Sequence, residues 1–158
     1  MIKLRKYKPL DEDFIYHSWL SSVDYNIPGV QRVTRLVIDS CVESGTILVA
    51  CSDEDEDHIL GWLSHAEELG FPILLYVFVK KKLRNHGIGK RLIQGRFPDE
   101  TTVPTAFWSF WCQKFNLKKR WGLKFNSLYL PVLVDKLHGE AEPKSENQSQ
   151  TQGIVAQA

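Results

Sequence analysis

The chain has 158 residues, 43% of them hydrophobic and 25% charged, with a net charge of +1. That is the composition of one ordinary globular domain, long enough to bury a core. The longest apolar run, residues 71–79, holds nine residues, well short of the ~20 that a membrane span requires. The opening Met-Ile-Lys-Leu-Arg-Lys lacks the apolar stretch of a secretory leader, so a cytoplasmic protein is expected. Cys41, Cys51 and Cys112 show no C-x-x-C pairing, which argues against a disulfide framework and a structural zinc site.

In chain order, residues 2–7 alternate apolar and basic side chains, the pattern of a first strand. Pro9 stops it, and Asp11-Glu12-Asp13 supplies acidic residues where a helix start favours them. Apolar residues at helical spacing then run over 14–20, and a loop follows at 25–29. A second helix is predicted over Val30–Ser44, closed by Gly45. Residues 46–51 form a strand, 52–57 an acidic solvated turn, and 58–66 the returning strand of a hairpin. Residues 73–79 are the most apolar strand and hence the central one.

Beyond a glycine-containing loop, a third helix is predicted from Gly87 to Gly95 or Arg96. A strand over 102–111, a helix over 112–120 and a last strand over 125–134, interrupted by Pro131, complete the domain. Residues 139–158 lack aromatic side chains and are rich in Glu, Gln and Ser, the composition of a flexible tail behind a domain of residues 1–138. No internal repeat is visible. The order β-α-α-β-β-β-α-β-α-β is that of one mixed α/β domain.

The near-neutral total hides an asymmetry. Residues 1–75 carry 6 Lys/Arg against 13 Asp/Glu, a net of −7, whereas residues 76–138 carry 13 against 3, a net of +10. The cationic half opens where the central strand runs into Lys80-Lys81-Lys82-Leu83-Arg84-Asn85-His86-Gly87-Ile88-Gly89-Lys90. A strand leading through a glycine turn into a helix forms an anion cradle. Glycine permits positive φ and close approach, and the first-turn N–H groups point outward at the positive end of the helix dipole. Neither the dinucleotide fingerprint G-x-G-x-x-G at the first strand nor the P-loop G-x-x-x-x-G-K-[ST] is present.

Arg84-Asn85-His86-Gly87-Ile88-Gly89 resembles the R/Q-x-x-G-x-G/A signature of the GNAT superfamily of acyl-CoA N-acyltransferases. In that family the signature also follows the central fourth strand and begins the third helix. The resemblance covers residues 1–134, and the loop is its one specific motif. It implies a central, mixed but mostly antiparallel sheet flanked by helices, and transfer of an acetyl group from acetyl-CoA to a primary amine by direct attack.

On this resemblance the pyrophosphate would lie on the backbone of Arg84, Asn85, His86, Gly87, Ile88, Gly89 and Lys90. The pantetheine arm would pair with the main chain at Tyr76, Val77, Phe78 and Val79, and Lys81, Lys82 and Arg91 would screen the phosphates. Asn126 and Tyr129 in Leu-Lys-Phe-Asn-Ser-Leu-Tyr-Leu resemble the family's Asn and Tyr, with Asn126 toward the cofactor and Tyr129 as proton donor to the leaving thiol. For the general base, Glu67, its neighbour Glu68 and His65 are the acid–base groups near the expected cleft. The acceptor amine stays open, and so does a homodimer, a common state in that family.

Two other readings compete. A GNAT-like fold without turnover would serve as a binding or inhibitory protein. A single-stranded nucleic-acid module would use Trp108, Trp111, Trp121, Phe107, Phe110, Phe115 and Phe125 interleaved with Lys114, Lys118, Lys119, Arg120 and Lys124. The near-neutral charge counts against the second.

Overall fold

The computed structural model describes residues 1–23, 26–67, 70–98, 102–106, 119, 122–129 and 131. Strand β1 (Ile2–Lys6) passes through a 3-10 turn, Pro9–Asp11, into helix α1 (Glu12–Leu20), and helix α2 (Val30–Glu43) follows. Strands β2 (Ile47–Ser52), β3 (Ile59–Ala66) and β4 (Ile73–Val79) form a meander. A second 3-10 turn, Lys81–Leu83, leads to α3 (Ile88–Arg96), and strands β5 (Val103–Thr105) and β6 (Leu123–Phe125) close the described part.

The six strands form one sheet in the order β1-β2-β3-β4-β5-β6. The first three pairings are antiparallel and the last two parallel. This is the expected mixed, mostly antiparallel sheet flanked by helices. Period-two alternation divides its side chains between two cores. On one face Ile15, Trp19, Val37 and Ile38 from α1 and α2 cover Val49, Trp62 and Ile73. On the other, Ile88, Leu92 and Ile93 of α3 cover Ala50, Leu63 and Leu74. In α2 the residues at helical spacing that turn inward are Thr34, Val37, Ile38 and Cys41.

Two expected strands differ. The stretch predicted over 102–111 is a strand at Val103–Thr105, meeting β4 at the single pair Leu74↔Thr105; residues 107–111 lie outside the described set, as does the helix predicted over 112–120 except for helical Lys119. The last strand is Leu123–Phe125 and ends where the sequence placed its start. Tyr129 and Pro131 are helical instead. The Asn126 carboxamide accepts the Leu128 N–H at 3.0 Å, an Asx turn that ends the strand. The tail expected over 139–158 lies outside the described residues.

The acidic turn is solvated as expected, with Asp53, Glu54, Asp55 and Asp57 exposed and Glu56 half-buried. Glu56 accepts hydrogen bonds from Lys3 and Lys8, which hold its carboxyl down at about 2. Beside it, Arg5 donates to both oxygens of Asp11, at 2.6 and 2.8 Å, and to the Glu56 carbonyl. The Arg5 and Asp11 side chains are 7% and 3% exposed, so this bidentate pair is buried. Removing one partner strands a buried charge, and Asp11→Ala is expected to cost about 3–5 kcal/mol in urea denaturation. Arg5→Met with Asp11→Leu should recover much of that loss, because it removes both charges together.

Candidate functional site

The site begins with a fault in the sheet. Ser64 pairs with Tyr76 and His65 with Leu74, so Leu75 is an extra residue on β4. A bulge of this kind turns two consecutive side chains to one face and increases local twist. Leu75 and Tyr76 accordingly both pack on the α1–α2 face, while Val77 and Val79 face α3 and Phe78 faces α1. Beyond the bulge β4 runs on past the end of β5, and no strand pairs with the outer edge of Val77–Val79 among the described residues. Tyr76 stacks on Trp19 at 4.7 Å and 12°, and Trp62, whose indole N–H donates to Ser18, closes the cluster. Phe78 meets Phe14 edge-on at 5.8 Å, and the Lys80 ammonium lies 5.1 Å from the Phe14 ring.

At the carboxyl end of β4 the loop is held to the strand. The Lys80 N–H donates to the Leu60 carbonyl, and the Arg84 guanidinium donates to the Val79 carbonyl at 3.2 Å. Asn85 and Gly87 take left-handed backbone conformations, φ 68° and 81°, which Asn and Gly tolerate best. His86 lies between them, its Nδ1–H donating to the Arg84 carbonyl at 2.9 Å. Gly87 is the N-cap of α3 and offers no side-chain cap. The first backbone bond into the helix is Arg91 N–H to the Gly87 carbonyl, so the N–H groups of residues 88–90 have no intrahelical acceptor. Ile88 and Gly89 are buried, which anchors this first turn on the sheet.

The electrostatics agree with an anion at this point. Residues 76–98 contain seven Lys/Arg and no Asp/Glu. Lys81, Lys82, Lys90 and Arg91 are exposed around the loop, and among the described residues none of them has an ion-pair partner. An uncapped helix start, two left-handed residues and unneutralised cations suit a diphosphate.

The sequence-predicted acid–base residues, with the cofactor candidate Asn126, fall into two groups by their contacts. His65 and Glu67 meet Arg96 at the far end of α3. His65 pairs with Leu74, five residues before Val79, or roughly 17 Å along the strand. The Arg96 guanidinium donates to His65 Nε2 at 3.0 Å and to the Glu67 carboxylate. The lone pair a base would use is therefore engaged, and His65 can take a proton only by giving up that bond. Burial, then the Arg96 charge, push the imidazole down to about 4. Asn126 and Tyr129 form the second group: the Asn126 N–H donates to the Thr105 carbonyl, the Tyr129 N–H to the Asn126 carbonyl, and the Tyr129 ring meets Phe71 edge-on at 6.0 Å. Asn126 thus spends its side chain on the turn that presents Tyr129. Glu68 and most of the aromatic–lysine stretch from Phe107 to Trp121 lie outside the described residues.

Sequence reasoning did not find Arg96 or the bulge at Leu75. Nothing in the chain marks Arg96 among seven neighbouring cations, and a bulge is visible only in the pairing register. The depressed His65 value has a consequence for stability. An imidazole that binds protons more weakly folded than unfolded adds stability above its ordinary value near 6.5 and loses it as pH falls toward 4. The urea midpoint should therefore fall across that window, and His65→Gln should flatten the fall.

No protein-family model matches the chain, and no curated protein is similar to it in sequence. Among solved structures, PH1933 from Pyrococcus horikoshii matches with a TM-score of 0.52 and 20% identity, over 78% of this chain and 89% of that one. A GNAT-family acetyltransferase from Brucella melitensis, solved with acetyl-CoA, matches at 0.46 and 20% identity, over 73% and 81%. Ard1 from Thermoplasma volcanium matches at 0.45 and 18% identity. The chain spans 60% of the length of that Ard1 and is itself covered to 60%. These are likenesses of fold, and the PH1933 match is the one of the three above a TM-score of 0.5. With the meander β1–β4, the parallel pairing of β5 and the glycine loop between β4 and α3, the chain has the mixed fold expected from the sequence, and PH1933 is similar to it in fold.

Proposed function

We propose that this chain is an acetyl-CoA-dependent N-acetyltransferase acting on a primary amine, with residues 1–138 as its domain. The observation that carries the reading is the uncapped, cation-ringed start of α3 directly behind β4. The N–H groups of residues 88–90 and the loop from Arg84 to Lys90 would receive the diphosphate, with Lys81, Lys82 and Arg91 screening it. The open edge of β4 would pair with the amide groups of the pantetheine arm, which brings the thioester toward the bulge at Leu75. The amine nitrogen then attacks the thioester carbonyl, the tetrahedral intermediate expels the thiolate, and the Tyr129 hydroxyl donates a proton to it. Glu67 or His65, through water, would take the proton that the amine gives up.

Thermal melting with acetyl-CoA at 100 times its Kd should show a stabilisation of about 2.7 kcal/mol, and thiol release should follow when a panel of primary amines is added. No shift with acetyl-CoA, together with a salt-sensitive shift with an oligonucleotide, would overturn the reading. In the active protein, Tyr129→Phe and Glu67→Gln should each lower kcat about 100-fold, the low end for acid–base catalysis, with the acetyl-CoA melting shift unchanged. A second reading, a CoA-binding protein without turnover, is supported by one observation: Arg96 holds both base candidates. Acetyl-CoA binding without thiol release across the panel would favour it.

A further inference from the structure

Helix α2 has a second apolar stripe. Its inner face is covered by the core, yet Val33 and Leu36 on the outside are 39% and 42% exposed, and Ile27 in the preceding loop is 55% exposed. Ile27, Pro28 and Leu36 line a groove of about 510 Å³ together with Gln31, Arg32 and Arg35, a size that accepts a few side chains. Single exposed apolar residues are ordinary; three around one concavity with two arginines are a patch.

The charges say what the patch would take. Residues 1–75 contain six basic side chains. Lys3, Arg5 and Lys8 are ion-paired with Glu56, Asp11 and Asp57. Lys6, Arg32 and Arg35 have no such partner among the described residues, so two of the three unpaired cations border the same groove. Arg32 and Arg35 are three apart on a helix, about 5–6 Å between Cβ atoms, and guanidinium forks bind carboxylates in paired hydrogen bonds. The surrounding half-chain is net −7. A long polyanion or an anionic bilayer would be repelled by that field, whereas a short acidic segment can reach the two cations without meeting it.

We infer that the outer face of α2 is a docking groove for a short acidic peptide segment of a partner protein, its carboxylates on Arg32 and Arg35 and an apolar side chain against Ile27, Pro28 and Leu36. The surface is independent of the acetyl-CoA reading. Fluorescein-labelled Gly-Glu-Leu-Glu-Glu-Leu-Gly and its counterpart with every Glu replaced by Lys are titrated against the full chain by anisotropy. Saturable binding of the acidic peptide alone, weakening with salt, is expected. Arg32→Glu with Arg35→Glu should weaken it at least tenfold, and Leu36→Ala several-fold, with thermal melting confirming that these exposed-site variants are folded. Their acetyl-CoA melting shift should equal that of the parent, so each reading can fail separately. Absence of binding, equal binding of the Lys peptide, or indifference to the arginine reversals overturns the inference. Tighter binding to an oligothymidylate or to phosphatidylserine vesicles than to the acidic peptide overturns it as well.

Discussion

Gly87→Glu is expected to abolish acetyl-CoA binding while the protein stays folded. A Cβ at position 87 would have no heavy atom within 4 Å, so the new side chain leaves the backbone without a clash at Cβ. The backbone there is left-handed, φ 81°, which costs a non-glycine residue roughly 1–2 kcal/mol. A small domain of ordinary stability survives that. The carboxylate, however, would stand before the uncapped N–H groups of residues 88–90 and neutralise the charge that draws the diphosphate. The melting shift with acetyl-CoA should vanish. Gly87→Ala carries the same backbone strain without the anion and should retain most of the shift. Binding that survives in Gly87→Glu would refute the cradle.

Gly61→Ala should be among the most destabilising single substitutions, about 3 kcal/mol by urea denaturation. Its Cβ would lie 2.5 Å from the Phe78 carbonyl oxygen, 3.3 Å from the Val79 Cα and 3.4 Å from Ile88. Two of these are backbone atoms of β4, so relief requires moving the strand that leads into the loop. Gly95→Ala makes the contrast. Its Cβ would also meet an atom at 2.5 Å, but that atom is the end of the Leu4 side chain, which can rotate. The gain of up to about 1 kcal/mol from replacing a helical glycine offsets the rearrangement, and a near-neutral result is expected. Equal losses for the two variants would contradict this account.

Much of the fold was legible because its signals are local. Alternation in β1, helical spacing in α2 with Gly45 beyond its end, and the uncharged run of β4 each depend on a few neighbours in sequence. The glycine loop was legible for the same reason, since Gly87 and Gly89 directly follow a buried-type strand. The errors cluster after residue 100, where apolar residues are dense and periodicity cannot tell a strand from a helix. There the Asx turn at Asn126 outweighed the strand-like run behind it. The geometry of the acid–base residues was not legible at all. His65, Glu67 and Arg96 lie on separate elements, and their meeting is a property of the register between β3, β4 and α3.

The place of β1 in the sheet sets the order in which the chain closes. Strands β2, β3 and β4 are joined by short turns, whereas β1 ends at Lys6 and its partner begins at Ile47. Both helices intervene, so docking of β1 requires the longest loop closure of the meander and comes late. Arg5, clamped in place by Asp11, fastens that strand to the turn after β2 through the Glu56 carbonyl. Contacts made after the rate-limiting barrier slow unfolding and leave refolding nearly untouched. Stopped-flow measurements on Asp11→Ala should therefore place its lost stability in the unfolding rate, making the clamp a determinant of how long a folded molecule lasts.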